Sequence, residues 1–307
     1  GCLHSEAPNY HNQAKPVMGQ LALLIADETG DVSRLAPRFS QLLHFYDSWT
    51  LGNQTDLGLF VWGDDVAIGD DNDPTTFGRP FFSSANLMLN CLYYQDLRAA
   101  AELAHRLNRP LDAQRLTQNA NDLKGCIQKF SWDPRDRFYY TVDVQCVDKR
   151  AELIPWNAHR GMAMSWKCLP LRIQMFTGFL PLWCGAAGIE QARDLLNIHY
   201  LSSDKFRASA GVRSLSCEET MYSLAYSSNP SNWLGPIWIV ANYFVWKGFK
   251  RYGFEEAAAD LANKTVHVLS ADLAKSGTLN EYYDPDTGKP LSHPGFIDWN
   301  MLVMEMM

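Results

Sequence analysis

The chain lacks any Cys-x-x-Cys pair. Its seven cysteines stand at positions 2, 91, 126, 146, 168, 184 and 217, a dispersal that excludes zinc-ribbon and dithiol-redox spacing. An odd, scattered set favours reduced, mostly buried thiols and a cytosolic setting. Blocks of Lys or Arg are also missing and the formal net charge is −7, which argues against a nucleic-acid or anionic-membrane partner. Long apolar runs are absent. Ile237-Trp238-Ile239-Val240-Ala241 meets Asn242, and the run over 20–26 is short, so nothing approaches the roughly 20 apolar residues that span a bilayer. Gly1-Cys2-Leu3-His4 has neither the basic start nor the apolar core of a signal peptide. There is no Gly/Ser-rich linker, low-complexity tract or sharp shift in composition, so residues 1–307 are expected to form one domain.

What the chain does have is a large apolar fraction, 47% of 307 residues, and many aromatic rings, with ten Trp and thirteen Tyr. The first is enough for a sizeable core. Most of the rings are packing, but aromatics that are not core often line concave ligand sites.

Helical periodicity dominates. Met88, Leu92, Ala99, Leu103 and Leu107 repeat at helical spacing over 84–107 until Arg109-Pro110, and a second helix is expected over about 112–130. Phe254, Ala258, Leu261, Thr265 and Val268 mark an amphipathic helix ending before Ser276-Gly277. The stretch 233–252 is apolar on nearly every side, as an inner helix must be. Stretches 172–184 and 190–199 form another such couple across Gly185-Ala186-Ala187-Gly188. Inner helix, short turn, outer helix, repeated, predicts an all-α toroid of helical hairpins. Phe138-Tyr139-Tyr140-Thr141-Val142-Asp143, after the turn Asp133-Pro134-Arg135-Asp136, reads as a small strand. The connections over 49–80, 131–170 and 202–230 exceed the usual helix–helix loop, and loops of that size tend to carry function.

Two loops hold the chemistry. The first is Gly69-Asp70-Asp71-Asn72-Asp73-Pro74, flanked by Trp62 and Arg79. The second is Asn280-Glu281-Tyr282-Tyr283-Asp284-Pro285-Asp286-Thr287-Gly288, followed by Gly295-Phe296-Ile297-Asp298-Trp299-Asn300. Carboxylates on Gly/Pro-punctuated loops bordered by tryptophans are what sugar cleavage requires. One acid protonates a leaving oxygen, another carboxylate acts on the opposite face, and indoles stack on the ring. The same sequences are also ordinary turns, because Asp and Asn cap their own backbone and Pro fixes φ. Asp71 is the first candidate, with Asp70 and Asp73 crowding it and Trp62 and Phe77 available to desolvate it, both of which raise a carboxyl pKa. Glu281 is the second. Trp233 and Trp238 are candidates to stack on a sugar and Asn242 and Arg79 to hydrogen-bond it, with Trp62, Asn72, Tyr283 and Trp299 completing the substrate set. Against this, an apolar helix simply buries its indoles, as expected for Trp246. Trp156-Asn157-Ala158-His159-Arg160 reads first as a loop pin and second as part of a site mouth, and Glu218-Glu219 is the rival source of a catalytic carboxylate.

These motifs together resemble glycoside hydrolase family 63. Trp62-Gly63 followed by Gly69-Asp70-Asp71-Asn72-Asp73-Pro74 and Arg79-Pro80 resembles the family's Gly-x-Asp-Asn-Ser-Pro-Arg segment, and Lys15-Pro16 its Lys-Pro-Pro helix start. Asn232-Trp233-Leu234-Gly235-Pro236-Ile237-Trp238 followed by Asn242-Tyr243 resembles its Gly-Pro-x-Trp-x-x-x-Asn-Tyr helix. Glu281-Tyr282-Tyr283-Asp284-Pro285-Asp286-Thr287-Gly288, then Gly295-Phe296 and Trp299, resembles its late Glu-Asn-Tyr-x-Pro-x-Thr-Gly and Gly-Phe-x-x-Trp ending. The resemblance runs from about Asn9 to the C-terminus. It implies an (α/α)6 barrel, here without obvious first helices, and inverting hydrolysis of an α-linked glucoside or mannoside. It assigns the general acid to Asp71 and the general base to Glu281, the only Glu between Glu256 and Glu305. The family's Ser-Pro-Arg-Trp-Asp is replaced by Asp73-Pro74-Thr75-Thr76-Phe77, so the contacts that select the sugar differ.

Two rivals stand beside it. Asp70-Asp71-Asn72-Asp73 in a helical protein has the look of a Mg²⁺-dependent prenyl-diphosphate motif, whose carboxylates sit on a helix wall. The other is a non-catalytic carbohydrate-binding toroid. Calcium held by Asp64, Asp65, Asp70 or Asp73 lacks a complete ligand spacing, so no metal and no cofactor is expected.

Overall fold

Helices α1 (Met18–Thr29), α2 (Phe39–Asn53) and α3 (Leu87–Arg106) are locked together by one acid. Asp96 on α3 is buried and accepts the Gln20 N–H on α1 and the Tyr46 hydroxyl on α2, each at 2.8 Å. The computed structural model describes residues 15–63, 69–145, 167–202, 205–225 and 231–307.

Helix α3 is the inner partner of a hairpin. Its first turns bury every residue from Leu87 to Tyr94, and Asn86 caps it by accepting the Leu89 N–H. Helix α4 (Pro110–Cys126) is the outer partner, burying only the stripe Leu116, Ala120 and Leu123. Pro110 at its start costs nothing, because a first-turn N–H has no intrahelical acceptor. A π-turn over Ile127–Ser131 continues it into β2 (Trp132–Asp133).

The expected strand is present as two short pieces, β3 (Phe138–Tyr139) and β4 (Val142–Asp143). Strand β4 lies between β1 (Ser84–Ala85) and β5 (Leu169–Pro170), and β2 pairs with β3. The fold is thus helix-dominated, as expected, with small strands at the helix ends.

The couple expected over 172–199 begins later than its apolarity suggested. Residues 171–175 are not helical, then a 3₁₀ turn (Phe176–Phe179) leads into α5 (Leu180–Cys184). Helix α6 (Ile189–Asp194) continues as a π-turn over Leu195–Leu201. The inner helix expected over 233–252 starts at α7 (Ile239–Arg251), because Gly235-Pro236 keeps 233–238 out of helical conformation. Gly248 lets α7 lie against α5, since a Cβ there would sit 2.8 Å from the Leu182 Cβ. Helix α8 (Glu255–Ser276) packs outside α7 and ends at left-handed Gly277. A 3₁₀ turn (Trp299–Leu302) and α9 (Val303–Met306) close the described chain. The main apolar core runs from Ala26 to Tyr282. Among the described residues no helix is long and apolar enough to cross a membrane.

Candidate active site

The first loop is built around Asp73 rather than Asp71. Asp73 is fully buried, and its Oδ1 accepts the main-chain N–H and the hydroxyl of Thr75, both at 2.7 Å. Its Oδ2 accepts the Asn86 amide at 3.1 Å. The loop is therefore stapled to the cap of α3, and the turn reading of Asp-Pro is correct for this residue. Burial outweighs those hydrogen bonds and pushes the Asp73 carboxyl up to about 6. Asp70 is also buried; burial first, then the Asp73 charge, hold its carboxyl well above the usual range, with Lys15 opposing. Its Oδ2 has no hydrogen-bond partner among the described residues. Asp71, between them, is half-buried. Phe77 is 55% exposed, so it gives Asp71 little of the cover expected of it.

This geometry corrects the diphosphate reading. The acids lie on a loop, not a helix wall, and Asp73 commits both oxygens to Thr75 and Asn86.

Asn72 carries the first loop to the second half of the chain. Its Oδ1 accepts the Trp233 N–H at 2.7 Å, and its Nδ2 donates to Asn232 Oδ1 at 3.2 Å. The Trp233 indole stacks on Trp238 with ring centroids 3.8 Å apart and planes 5° off parallel. Trp238 in turn meets Tyr282 at 4.9 Å and Trp299 at 5.7 Å. Gly235, at φ +142, is needed here because a Cβ would strike the Tyr222 ring at 2.5 Å.

A ladder of single bridges ties in the late loop. Arg213 pairs with Ile237, Ile237 with Tyr283, and Tyr283 with Pro290. The Asp284 side chain accepts the N–H groups of Asp286 and Thr287, so residues 284–288 form the turn their sequence suggests. Glu281, 15% exposed at its side chain, faces His293, whose Nδ1 lies 2.9 Å from Oε2.

The candidates divide by exposure. Trp62, Trp233, Trp238, Asn242 and Tyr283 are buried to 2% or less. Solvent does not reach them, so the expectation of direct sugar contact gives way to support. Trp62 packs edge-on against Trp49, 5.7 Å away. Asn242 joins the Val212 N–H to Thr265. The Tyr283 hydroxyl donates to Asp272 on α8 at 2.9 Å, and Asp272 also holds Asn280. Polar residues in an apolar run turned inward because each found a buried partner. Arg79 is half-buried but pairs with Asp143 and donates to Ser84, which ties the loop to β4 and β1. Asp71, Asn72, Glu281 and Trp299 are half-buried. The Trp299 indole N–H has no partner among the described residues.

Trp156-Asn157-Ala158-His159-Arg160, Asp64 and Asp65 lie outside the described residues. Glu218 pairs with Lys205, and Glu219 accepts the Gln174 N–H. Surface hollows of about 680 and 540 Å³, beside α1 and at the start of α8, contain none of the candidate residues. Sequence reasoning quoted Asn232 within a motif but gave it no role, and it missed Asp272 and His293. Asp272 is a polar residue of a helix, and only the fold shows what it faces.

Comparison with known proteins agrees with the motifs. The model of the mannosylglycerate hydrolase MGH1-like glycoside hydrolase domain matches residues 2–297. A mannosylglycerate hydrolase of Thermus thermophilus is 30% identical over 144 residues, covering 46% of this chain and 32% of that protein. Mannosylglycerate hydrolase MGH1 of Selaginella moellendorffii is 34% identical over 114 residues, covering 36% of this chain and 20% of that protein. The chain thus matches a third or less of the length of these curated relatives. A GH63 mannosylglycerate hydrolase of Thermus thermophilus, solved in complex with glucose, superposes with a TM-score of 0.72 at 20% identity, over 95% of this chain and 74% of that one. The two share a fold.

Proposed function

The chain belongs to the mannosylglycerate hydrolase MGH1-like glycoside hydrolase family, and on that premise we propose that it is an inverting glycosidase acting on an α-linked mannoside or glucoside, with glycerate as the first aglycone to test. Asp71 is the general acid and Glu281 the general base, in a single (α/α)6 barrel catalytic domain. Asp71 gives its proton to the glycosidic oxygen as the C–O bond breaks. Glu281 takes a proton from the water whose oxygen bonds to the anomeric carbon. Inversion requires the two carboxyls roughly 6.5–9.5 Å apart, with the water between. No metal or cofactor takes part in this scheme.

The observation that carries the reading is the contact path between two loops far apart in sequence. Asn72, beside Asp71, binds Trp233. Trp233 stacks on Trp238, and Trp238 packs on Tyr282, beside Glu281. The half-buried Asn72 and Trp299 are the side chains left to meet the sugar, Trp299 through the open part of its ring. The buried tryptophans form the wall behind them.

The test is hydrolysis of α-mannosylglycerate and α-glucosylglycerate, with the first-formed anomer read by NMR. The β-anomer appearing first supports inversion, and the α-anomer appearing first refutes it. A carbohydrate-binding protein without catalysis would bind these compounds and release no sugar.

A further inference from the structure

The late hairpin does more than present Glu281. Its two arms pair at Tyr283 with Pro290 and at Asn280 with Pro294, so the register slips by one between the two bridges. The extra residue lies on the second arm, as in a β-bulge, and such a kink re-aims a side chain. It brings His293 opposite Glu281. The Glu281 main-chain N–H donates to the His293 carbonyl at 3.2 Å, and the His293 Nδ1 reaches back to Glu281 Oε2 at 2.9 Å. Main chain and side chain of the same acid are thus held by the same residue.

A carboxylate only accepts hydrogen bonds, so this contact requires the hydrogen on Nδ1. Ser292 Oγ, 2.6 Å from the same nitrogen, then shares that hydrogen as a second acceptor. The imidazole is 56% exposed against 15% for the Glu281 side chain, so burial in the core does not explain the histidine.

We propose that His293 is the positioning residue of the base: its Nδ1–H commits Oε2 of Glu281 and leaves Oε1 aimed at the attacking water. The inference rests on Glu281 being the base. During the step, the water oxygen bonds to the anomeric carbon, its proton goes to Oε1, the glycosidic C–O bond breaks, and the departing oxygen takes the Asp71 proton. His293 donates a hydrogen bond throughout and neither gains nor loses a proton.

The experiment compares full chains carrying His293→Ala, His293→Phe, His293→Asn and Glu281→Gln, using whichever of the two glycerates the wild type cleaves. A misaimed base costs rate rather than binding. His293→Ala and His293→Phe are expected to lower kcat by roughly 10- to 100-fold with KM within about threefold of wild type. The Asn side-chain amide places an N–H near the Nδ1 position, so His293→Asn should recover most of that loss. Melting temperatures should match wild type in all three. Wild-type kcat in His293→Ala, a change in KM alone, or a lower kcat accompanied by a lower melting temperature would each overturn the positioning role. An inactive Glu281→Gln beside a fully active His293→Ala defeats this inference and leaves the base intact. A fully active Glu281→Gln defeats both.

Discussion

Asn72 accepts the main-chain N–H of Trp233 at 2.7 Å, across 161 positions of sequence. That hydrogen bond connects the loop of the proposed acid to the aromatic stack behind the proposed base. Removing it leaves a largely buried N–H without its acceptor, which costs about 1–3 kcal/mol. Asn72→Ala is therefore expected to lower stability by that amount in urea unfolding. It should lower kcat/KM by at least tenfold as the first loop drifts. Asn72→Asp keeps the acceptor for Trp233 but turns an oxygen toward Asn232 Oδ1, so it should fall between Ala and wild type.

The Asp73 carboxyl predicts a pH dependence with a definite sign. Its folded pKa of about 6 lies above the ordinary carboxyl value of 3.8. Between those values the folded state holds a proton that the unfolded chain has released, so stability falls as pH rises. The effect is complete above the folded value and absent below the unfolded one. A rise of about two units corresponds to roughly 3 kcal/mol for this fully buried group. Carboxyls held below their ordinary value, such as Asp133 and Asp260, act in the opposite direction, so the Asp73 contribution is read as the difference between wild type and Asp73→Asn from pH 3.5 to 7. Asp73→Asn should gain stability relative to wild type as pH rises through that window, and should also relieve Asp70, whose carboxyl is raised in part by the Asp73 charge. A difference that does not change with pH would contradict the burial of Asp73.

The close contact of α7 and α5 gives a packing test away from the chemistry. A Cβ at Gly248 meets the Leu182 Cβ at 2.8 Å and the Trp183 main-chain nitrogen at 3.1 Å. Neither is the movable end of a long side chain, so the helices must part. Gly248→Ala is expected to cost about 1–3 kcal/mol despite the better helix propensity of Ala. Thermal unfolding of the single variant measures it.

Much of this architecture is legible in the residues. The hairpin of α3 and α4 follows from period-3.6 apolar positions broken at Arg109-Pro110, and α8 ends at the Gly277 its sequence marks. Hydrophobicity misleads where it cannot tell a helix from an extended stretch. Residues 233–238 are as apolar as α7, yet Gly235-Pro236 holds them outside it. The same ambiguity hides the rings. An indole on an apolar segment packs against its neighbour unless the fold leaves it a free face, and among the described tryptophans put forward as sugar contacts only Trp299 keeps one. Asn242 and Tyr283 look like polar groups awaiting a ligand because their partners, Thr265 and Asp272, lie on another helix. His293 carries no signal of its own. Its place opposite Glu281 depends on a one-residue slip in a hairpin, which alternation alone does not encode.

The roles of the two acids separate most cleanly on a substrate that needs no proton to depart. Fluoride leaves without general-acid help, whereas an alkoxide does not, and each acid–base contribution is worth roughly 10²- to 10⁴-fold. The decisive measurement compares kcat of Asp71→Asn and Glu281→Gln on the α-glycosyl fluoride and on the α-glycosyl glycerate of the same sugar. Asp71→Asn should lose at least a hundredfold on the glycerate and stay within about tenfold of wild type on the fluoride. Glu281→Gln should fail on both. Equal losses for Asp71→Asn on the two substrates, or a near-normal rate for Glu281→Gln on either, would contradict the assignment.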